Sequence, residues 1–383
     1  MDILLRRQIG YFMDSRKYFK NALDTATQAV RKVKTYKGEW YTVNSLFGND
    51  WAIFFALLGG REAGKSYSVM QWGVKNKLRH KDNFKFYWFR LTEAAADNLL
   101  ADGGSKLVDP DIKAKYNINT FKKNHTIYSY TPVKKKSKSG KETIEKSNIK
   151  EFCEVLACST FYNTKGVGYF DNTYKGEYFI VLDEMNREES EKNSFDIVYN
   201  FVNLLENIAR STKNRIKVVM IGNTLEEASD ILSAFNFIPD GFGRFKLKSK
   251  RCVVDYIMPN EAYKARRKGT IADIMMPNAS TFTNEVEIDR SLLVNKRKCI
   301  KPISVIKFTK SKDSWYTIWN DGIIKEYNGE KKPTIPMRRY LDEIYQQSLV
   351  DTVRQMFDVR AYKFVNLACF KKFQKQMKLL KRQ

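Results

Sequence analysis

Four short runs stay apolar rather than alternating: WAIFFALL (51–58), FKFYWFRL (84–91), YFIVLD (178–183) and KVVMIGN (217–223). Runs of that kind are strands buried on both faces, as in a parallel sheet. Between them, KSYSVMQWGVKNKL sets Tyr67, Met70, Val74 and Leu78 at helical spacing, and EAAADNLL and FDIVYNFVNLLENIARS also read as helices. The alternation predicts an α/β domain with a parallel central sheet over 49–250. HTIYSYTPV and IKEFCEVLACS read as a strand pair flanking KKKSKSGKETIEKS, a polar, lysine-rich connection. Residues 1–48 read as a helical extension, with Leu4, Leu5, Ile9, Phe12 and Met13 on one face. The grammar changes after 250. Residues 251–297, with Pro259 and Pro277, read as a connecting region. Residues 298–383 predict a smaller α+β domain: PISVIKFTK and SWYTIWNDGIIKEYN as antiparallel strands, RRYLDEIYQQSLVDTVRQMF and VNLACFKKFQKQMKLLKRQ as helices.

The first apolar run ends in GGREAGKSY, which fits G-x-x-x-x-G-K-[ST] between a strand and a helix. In that order the motif is a phosphate cradle. Gly59, Gly60, Arg61, Glu62, Ala63 and Gly64 turn backbone amides onto phosphate oxygens, and the helix opening at Lys65, Ser66 and Tyr67 offers its N-terminus to the anion. Lys65 reaches the β- and γ-phosphates of ATP, and the Ser66 hydroxyl takes one position on Mg2+. YFIVLDEM then supplies two carboxylates at a strand tip. Asp183 suits the metal side, and Glu184 suits a general base that polarises the attacking water. A kinase would not need the second acid; hydrolysis does. At the end of KVVMIGN, Asn223 is placed to sense the γ-phosphate or orient water. Arg61 is a candidate cation in cis, and Arg210 and Arg215 are candidates to be met by a neighbouring subunit's site.

Charge adds a partner. The chain holds 68 Lys+Arg against 43 Asp+Glu, a formal net charge of +25, and a surface so basic attracts polyanions, nucleic acid first. No apolar run approaches the ~20 residues needed to span a bilayer, and MDILLRRQ lacks a signal-peptide core. The cysteines (153, 158, 252, 299 and 369) are odd in number and form no C-x-x-C pair, and His80 and His125 are the only histidines. Neither a zinc site nor a disulfide framework is expected, and a reducing cytoplasm fits.

GGREAGKSY, FYWFRL, FIVLDEMNRE, VNLLENIARSTKNRIKVVMIGN and NFIPDGFGRF, in that order over roughly 50–247, together with the terminal helix, resemble the DNA-encapsidation ATPases of small short-tailed phages. These belong to the ring-forming ASCE class of P-loop ATPases. The resemblance implies a homomeric ring, a pentamer, that docks on a portal protein in the host cytoplasm and drives double-stranded DNA into a procapsid. It leaves open whether a packaging RNA takes part. Carried over by position, Lys65, Ser66, Asp183 and Glu184 keep the roles above. Arg210 falls at the trans-acting arginine, one residue out of spacing before Asn223, which keeps Arg215 open. Lys165 matches a lysine reaching the adjoining subunit's nucleotide, and Lys192 and Asn193 match a loop facing the pore. DNA-backbone contacts are then expected from Lys192 and Asn193, and from Lys134, Lys135, Lys136, Lys138 and Lys141. The extension at 1–48 and the lysine run have no counterpart.

Two rivals stand beside this reading: a terminase-like ATPase with an active nuclease domain, and a nucleotide-switched nucleic-acid-binding protein. The first needs an RNase H-like fold with an acidic cluster holding two metal ions. PISVIKFTK carries no carboxylate, and Asp313, Asp321 and Glu326 fall in turns or near strand ends. The C-terminal region therefore reads as a degenerate nuclease fold used for docking. The second rival has no use for a base at Glu184.

Overall fold

The computed structural model describes residues 36–136, 142–164, 174–186, 195–209, 215–223, 229–239, 241–276, 292–294, 302–307, 315–319, 322–327, 340–341 and 347–380. The chain divides into two compact units. One comprises Met1–Glu227 with Gly241–Val286, the other Ala228–Asp240 with Glu287–Gln383.

In the first unit the strands are β1 (Phe54–Leu58), β2 (Phe84–Arg90), β3 (Asn119–Lys123), β4 (Thr126–Lys136), β5 (Glu142–Ala157), β6 (Glu177–Asp183), β7 (Ile216–Gly222), β8 (Gly243–Leu247) and β9 (Cys252–Tyr256). They form one sheet in the order β3-β4-β5-β2-β6-β7-β1-β9-β8. The strands from β5 to β9 in that order are parallel, and β4, β3 and β8 add antiparallel edges. All four apolar runs lie in the parallel part. Helices α1 (Lys65–His80), α2 (Glu93–Gly104), α3 (Ile197–Ala209) and α4 (Glu261–Arg267) belong to the same unit. The Thr92 hydroxyl starts α2 by accepting from the Ala95 amide at 3.3 Å. Against the sheet lies an aromatic core of Phe47, Phe55, Phe84, Phe86, Trp88, Phe152 and Phe179, all buried. Gly73 lets α1 come this close: a Cβ there would sit 2.6 Å from Phe86 Cζ.

Two local expectations change here. Lys134, Lys135 and Lys136 continue β4 as ladder partners of Ile144, Thr143 and Glu142, so three of the five lysines are in strand rather than connection. The sheet also continues into Cys252–Tyr256, where the sequence suggests the start of a connecting region; β9 is the neighbour of β1.

The second unit holds a five-stranded sheet, β13-β10-β11-β12-β14. Its strands are β10 (Pro302–Lys307), β11 (Trp315–Trp319), β12 (Ile323–Tyr327), β13 (Tyr340–Leu341) and β14 (Lys363–Phe364). The first three form an antiparallel meander, β13 joins β10 in parallel, and β14 joins β12 in parallel. Helices α5 (Gln347–Asp358) and α6 (Leu367–Leu380) follow. Tyr340 and Leu341 therefore leave the helix expected from 338 and pair with Val305 and Ile306. The core is Ile306, Tyr316, Ile324, Phe364, Phe373 and Met377. A short helix, Asp230–Ala234, is tied to α6 by Lys375 on Asp230 at 3.2 Å, with Lys372 on Asn236 at 2.5 Å nearby.

Candidate active site

A parallel sheet brings the C-terminal ends of its strands to one edge, where open α/β folds bind ligands. Register pairs Leu58 with Gly222, Ile221 with Asp183, and Leu182 with Phe89. The loop 59–64, the acids 183 and 184, Asn223 and Arg90 therefore share that edge. The loop is tied to its neighbour strand by the Gly59 amide, which donates to the Asn223 carbonyl at 2.8 Å. Gly64, at φ +89°, makes the left-handed step into α1.

Lys65 is buried and its Nζ donates to the carbonyls of Gly59 and Gly60, at 2.7 Å each. Burial pushes the ammonium down to about 8, helped by the Arg61 charge and opposed by Asp183 and Glu184. The Ser66 hydroxyl donates to Asp183 Oδ1 at 3.0 Å. Burial raises the Asp183 carboxyl, with Arg90 the largest opposing influence. A hydroxyl and a buried carboxylate within hydrogen-bond distance are hard oxygen donors of the kind that hold Mg2+, and a cation there would offset the burial of Asp183. Glu184 is half-exposed, sits at φ +58°, and pairs with Arg90 Nη1. Arg90 Nε lies 3.8 Å from Asp183 Oδ2, so one guanidinium faces both carboxylates.

Among solved structures, the chain is similar to the bacteriophage Phi-29 viral genome packaging motor assembly, with a TM-score of 0.55 and 14% identity over 89% of this chain and 100% of that one. It is also similar to the Phi-28 gp11 DNA packaging motor, with a TM-score of 0.52 and 15% identity over 88% and 97%. This chain has the fold of the phage DNA-packaging ATPases. No protein-family model and no curated protein matches it.

Within the packaging-ATPase fold, the structure brings together Gly59 to Ser66, Asp183, Glu184 and Asn223. Tyr67, on the first turn of α1, is more than a third exposed. Arg215 stands before β7, at the far end of that strand from Asn223, where its Nη1 donates to the Lys175 carbonyl at 3.1 Å. Lys134 is exposed on β4. Lys138, Lys141, Lys165, Lys192, Asn193 and Arg210 lie outside the described residues.

Sequence reasoning missed three groups. Arg90 was visible only as the penultimate residue of an apolar run, and its role depends on β2 lying beside β6. Asp255 on β9 accepts from Tyr41 Oη at 2.8 Å and from Arg244 Nε at 3.0 Å, while the Tyr41 amide donates to the Ala63 carbonyl at 3.0 Å. That network fastens the segment before β1 to the cradle. The third group is on α4, which reaches the loop from about 200 residues away in sequence.

Proposed function

We propose that this protein is an Mg2+-dependent ATPase that drives double-stranded DNA into a procapsid as a homomeric ring on a portal. One observation carries the reading: Lys65, Ser66, Asp183 and Glu184 meet at one sheet edge in a chain with the packaging-motor fold over nearly nine-tenths of its length. Lys65 and the loop amides hold the phosphates. Ser66 and Asp183 would hold the cation, which when bound would neutralise phosphate charge. Glu184 takes the proton of the attacking water. Arg210, or Arg215 in its place, stabilises a neighbour's γ-phosphate, and Lys165 and Asn223 contribute to the same pair of sites. The charge of +25 supplies the DNA attraction. No helix among the described residues is long and apolar enough to cross a membrane, and the proposed workplace is the host cytoplasm.

The second unit is read as a degenerate RNase H-like domain used for docking. Its meander, joined by a parallel strand on the outer side of β10, suits that fold. Glu326, the described carboxylate of the expected trio, is paired with Lys372 at 2.8 Å; Asp313 and Asp321 lie outside the described residues. ATPase and cleavage assays on one preparation test the reading. Double-stranded DNA should stimulate hydrolysis, and Mg2+ should support no cutting. Cleavage would favour the terminase-like rival, and an ATPase indifferent to DNA would favour the switch.

A further inference from the structure

The cradle is held from outside at three consecutive carbonyls. Tyr263 Oη donates to the Arg61 carbonyl at 3.0 Å, Arg266 Nη2 to the Glu62 carbonyl at 2.8 Å, and the Tyr41 amide to the Ala63 carbonyl at 3.0 Å. In a trans peptide the N–H points opposite to the C=O. Tying those carbonyls outward therefore aims the amides of Glu62 and Ala63 away from α4, and that of Gly64 away from Tyr41. Those are amides that the motif needs for phosphate.

Glu62 at the loop's apex sits at φ +62°, a conformation that glycine takes freely and glutamate does not. Such a backbone persists where its surroundings over-determine it. Here the surroundings are again α4. Arg267 Nη1 pairs with the Glu62 carboxylate at 3.1 Å, and Arg267 and Tyr263 are themselves buried. Arg266 adds a bond to the Glu39 carbonyl at 3.2 Å and lies 3.6 Å from the Trp40 ring centroid, which fixes the guanidinium.

We propose that α4 is a brace for the nucleotide loop. Arg267 is a positioning residue that holds Glu62 in its left-handed turn, and Tyr263 and Arg266 aim the loop amides at the phosphates. The brace rests on the nucleotide reading above and says how the cradle is kept open for its ligand.

The test is epistasis, measured on the full chain with a fluorescent ATP analogue and with steady-state kinetics. Arg267→Met should weaken nucleotide binding about tenfold and raise KM with little change in kcat. Arg267→Lys should recover part of the loss. In the Arg267→Met background, Glu62→Gly should restore affinity to within about threefold of wild type, because glycine makes the turn without a partner. A role confined to helix packing would not be repaired by a glycine in the loop, so failure of that rescue overturns the proposal. Unchanged affinity in a folded Arg267→Met protein overturns it too. Should Arg267→Met lower the melting temperature too far for titration, Tyr263→Phe removes only the hydroxyl; it should weaken binding in the same direction, and wild-type affinity there would overturn the brace. A wild-type protein that binds no nucleotide would sink the nucleotide reading as well; one that binds but shows no epistasis sinks the brace alone.

Discussion

At the scale of single residues, Lys65 carries a pH signature with a definite sign. Its ammonium is pushed down to about 8 by burial, and phosphate oxygens would hold the proton on. Nucleotide affinity should be fully present below pH 8 and fall by about tenfold per unit as pH rises beyond it. Folding stability should move the other way. Between about 8 and the ordinary lysine value of 10.5, the unfolded chain holds more protons than the folded one, so the lysine's burial penalty shrinks as pH rises. Titrations and thermal melts at pH 7, 8 and 9 separate the two trends; affinity flat across that range would remove Lys65 from the phosphate. Glu184 makes a different prediction. Its carboxylate is half-exposed, and Arg90 holds it beside Asp183. Glu184→Gln should bind ATP as wild type does and hydrolyse at least about a hundredfold more slowly, the usual worth of a general base. Hydrolysis at the wild-type rate would take the base role from it.

At the scale of elements, the lysine hairpin is the segment most changed by the structure. Lys134, Lys135 and Lys136 are in β4, so their spacing is set by a ladder rather than by a floppy connection, which suits a backbone grip that reads no bases. Changing Lys134, Lys135, Lys136, Lys138 and Lys141 to Gln should weaken DNA binding equally for all sequences and leave basal ATPase intact. Its salt dependence should flatten by about one unit of slope for each phosphate that loses its lysine. An unchanged slope would give the hairpin to solvent and leave Lys192 and Asn193 as the grip. This hairpin also shows where legibility ends. The four parallel strands could be read because burial on both faces leaves an uninterrupted apolar run. KKKSKSGKETIEKS has no such run, yet Lys134–Lys136 pair with Glu142–Ile144 in the ladder, and Lys146 lies over the Phe121 and Tyr130 rings. In CVVDY, Asp255 interrupts the pattern, and Tyr41, distant in sequence, together with Arg244 on the adjacent β8 makes that carboxylate tolerable in a strand paired on both sides. Tyr340 and Leu341 look helical because their strand partner, β10, lies more than thirty residues upstream. At the site, strand–loop–helix order exposed Lys65, Ser66, Asp183 and Glu184, whereas Arg90 and the α4 side chains act through neighbours that only the folded chain supplies.

At the scale of the whole molecule, the remaining question is how one cradle obtains its arginine. Arg61 is in the loop, but its carbonyl is held by Tyr263, and its charge lowers the Lys65 pKa. Arg215 precedes β7, whose seven residues end at the cradle; at ~3.3 Å per residue it stands about 20 Å from its own site. Arg210 directly follows α3, which carries Tyr199 and Val202 at half exposure or more, an apolar step suited to a second copy of the chain. On the proposed ring, Arg210 is expected to serve the next subunit's site. Two inactive proteins then make a discriminating mixture. Arg210→Ala keeps an intact cradle and lacks the finger; Lys65→Ala keeps the finger and lacks the cradle. Where a Lys65→Ala subunit faces the cradle of an Arg210→Ala subunit, a complete site forms. Mixtures should therefore hydrolyse ATP although neither parent does, with the greatest rate near equal proportions, where such junctions are most frequent. Activity recovered with Arg215→Ala in place of Arg210→Ala, but not with Arg210→Ala, would move the finger to Arg215. No recovery with either, in mixtures shown to assemble, would mean that hydrolysis is completed within one subunit, and the ring would then have to be coordinated by something other than a shared arginine.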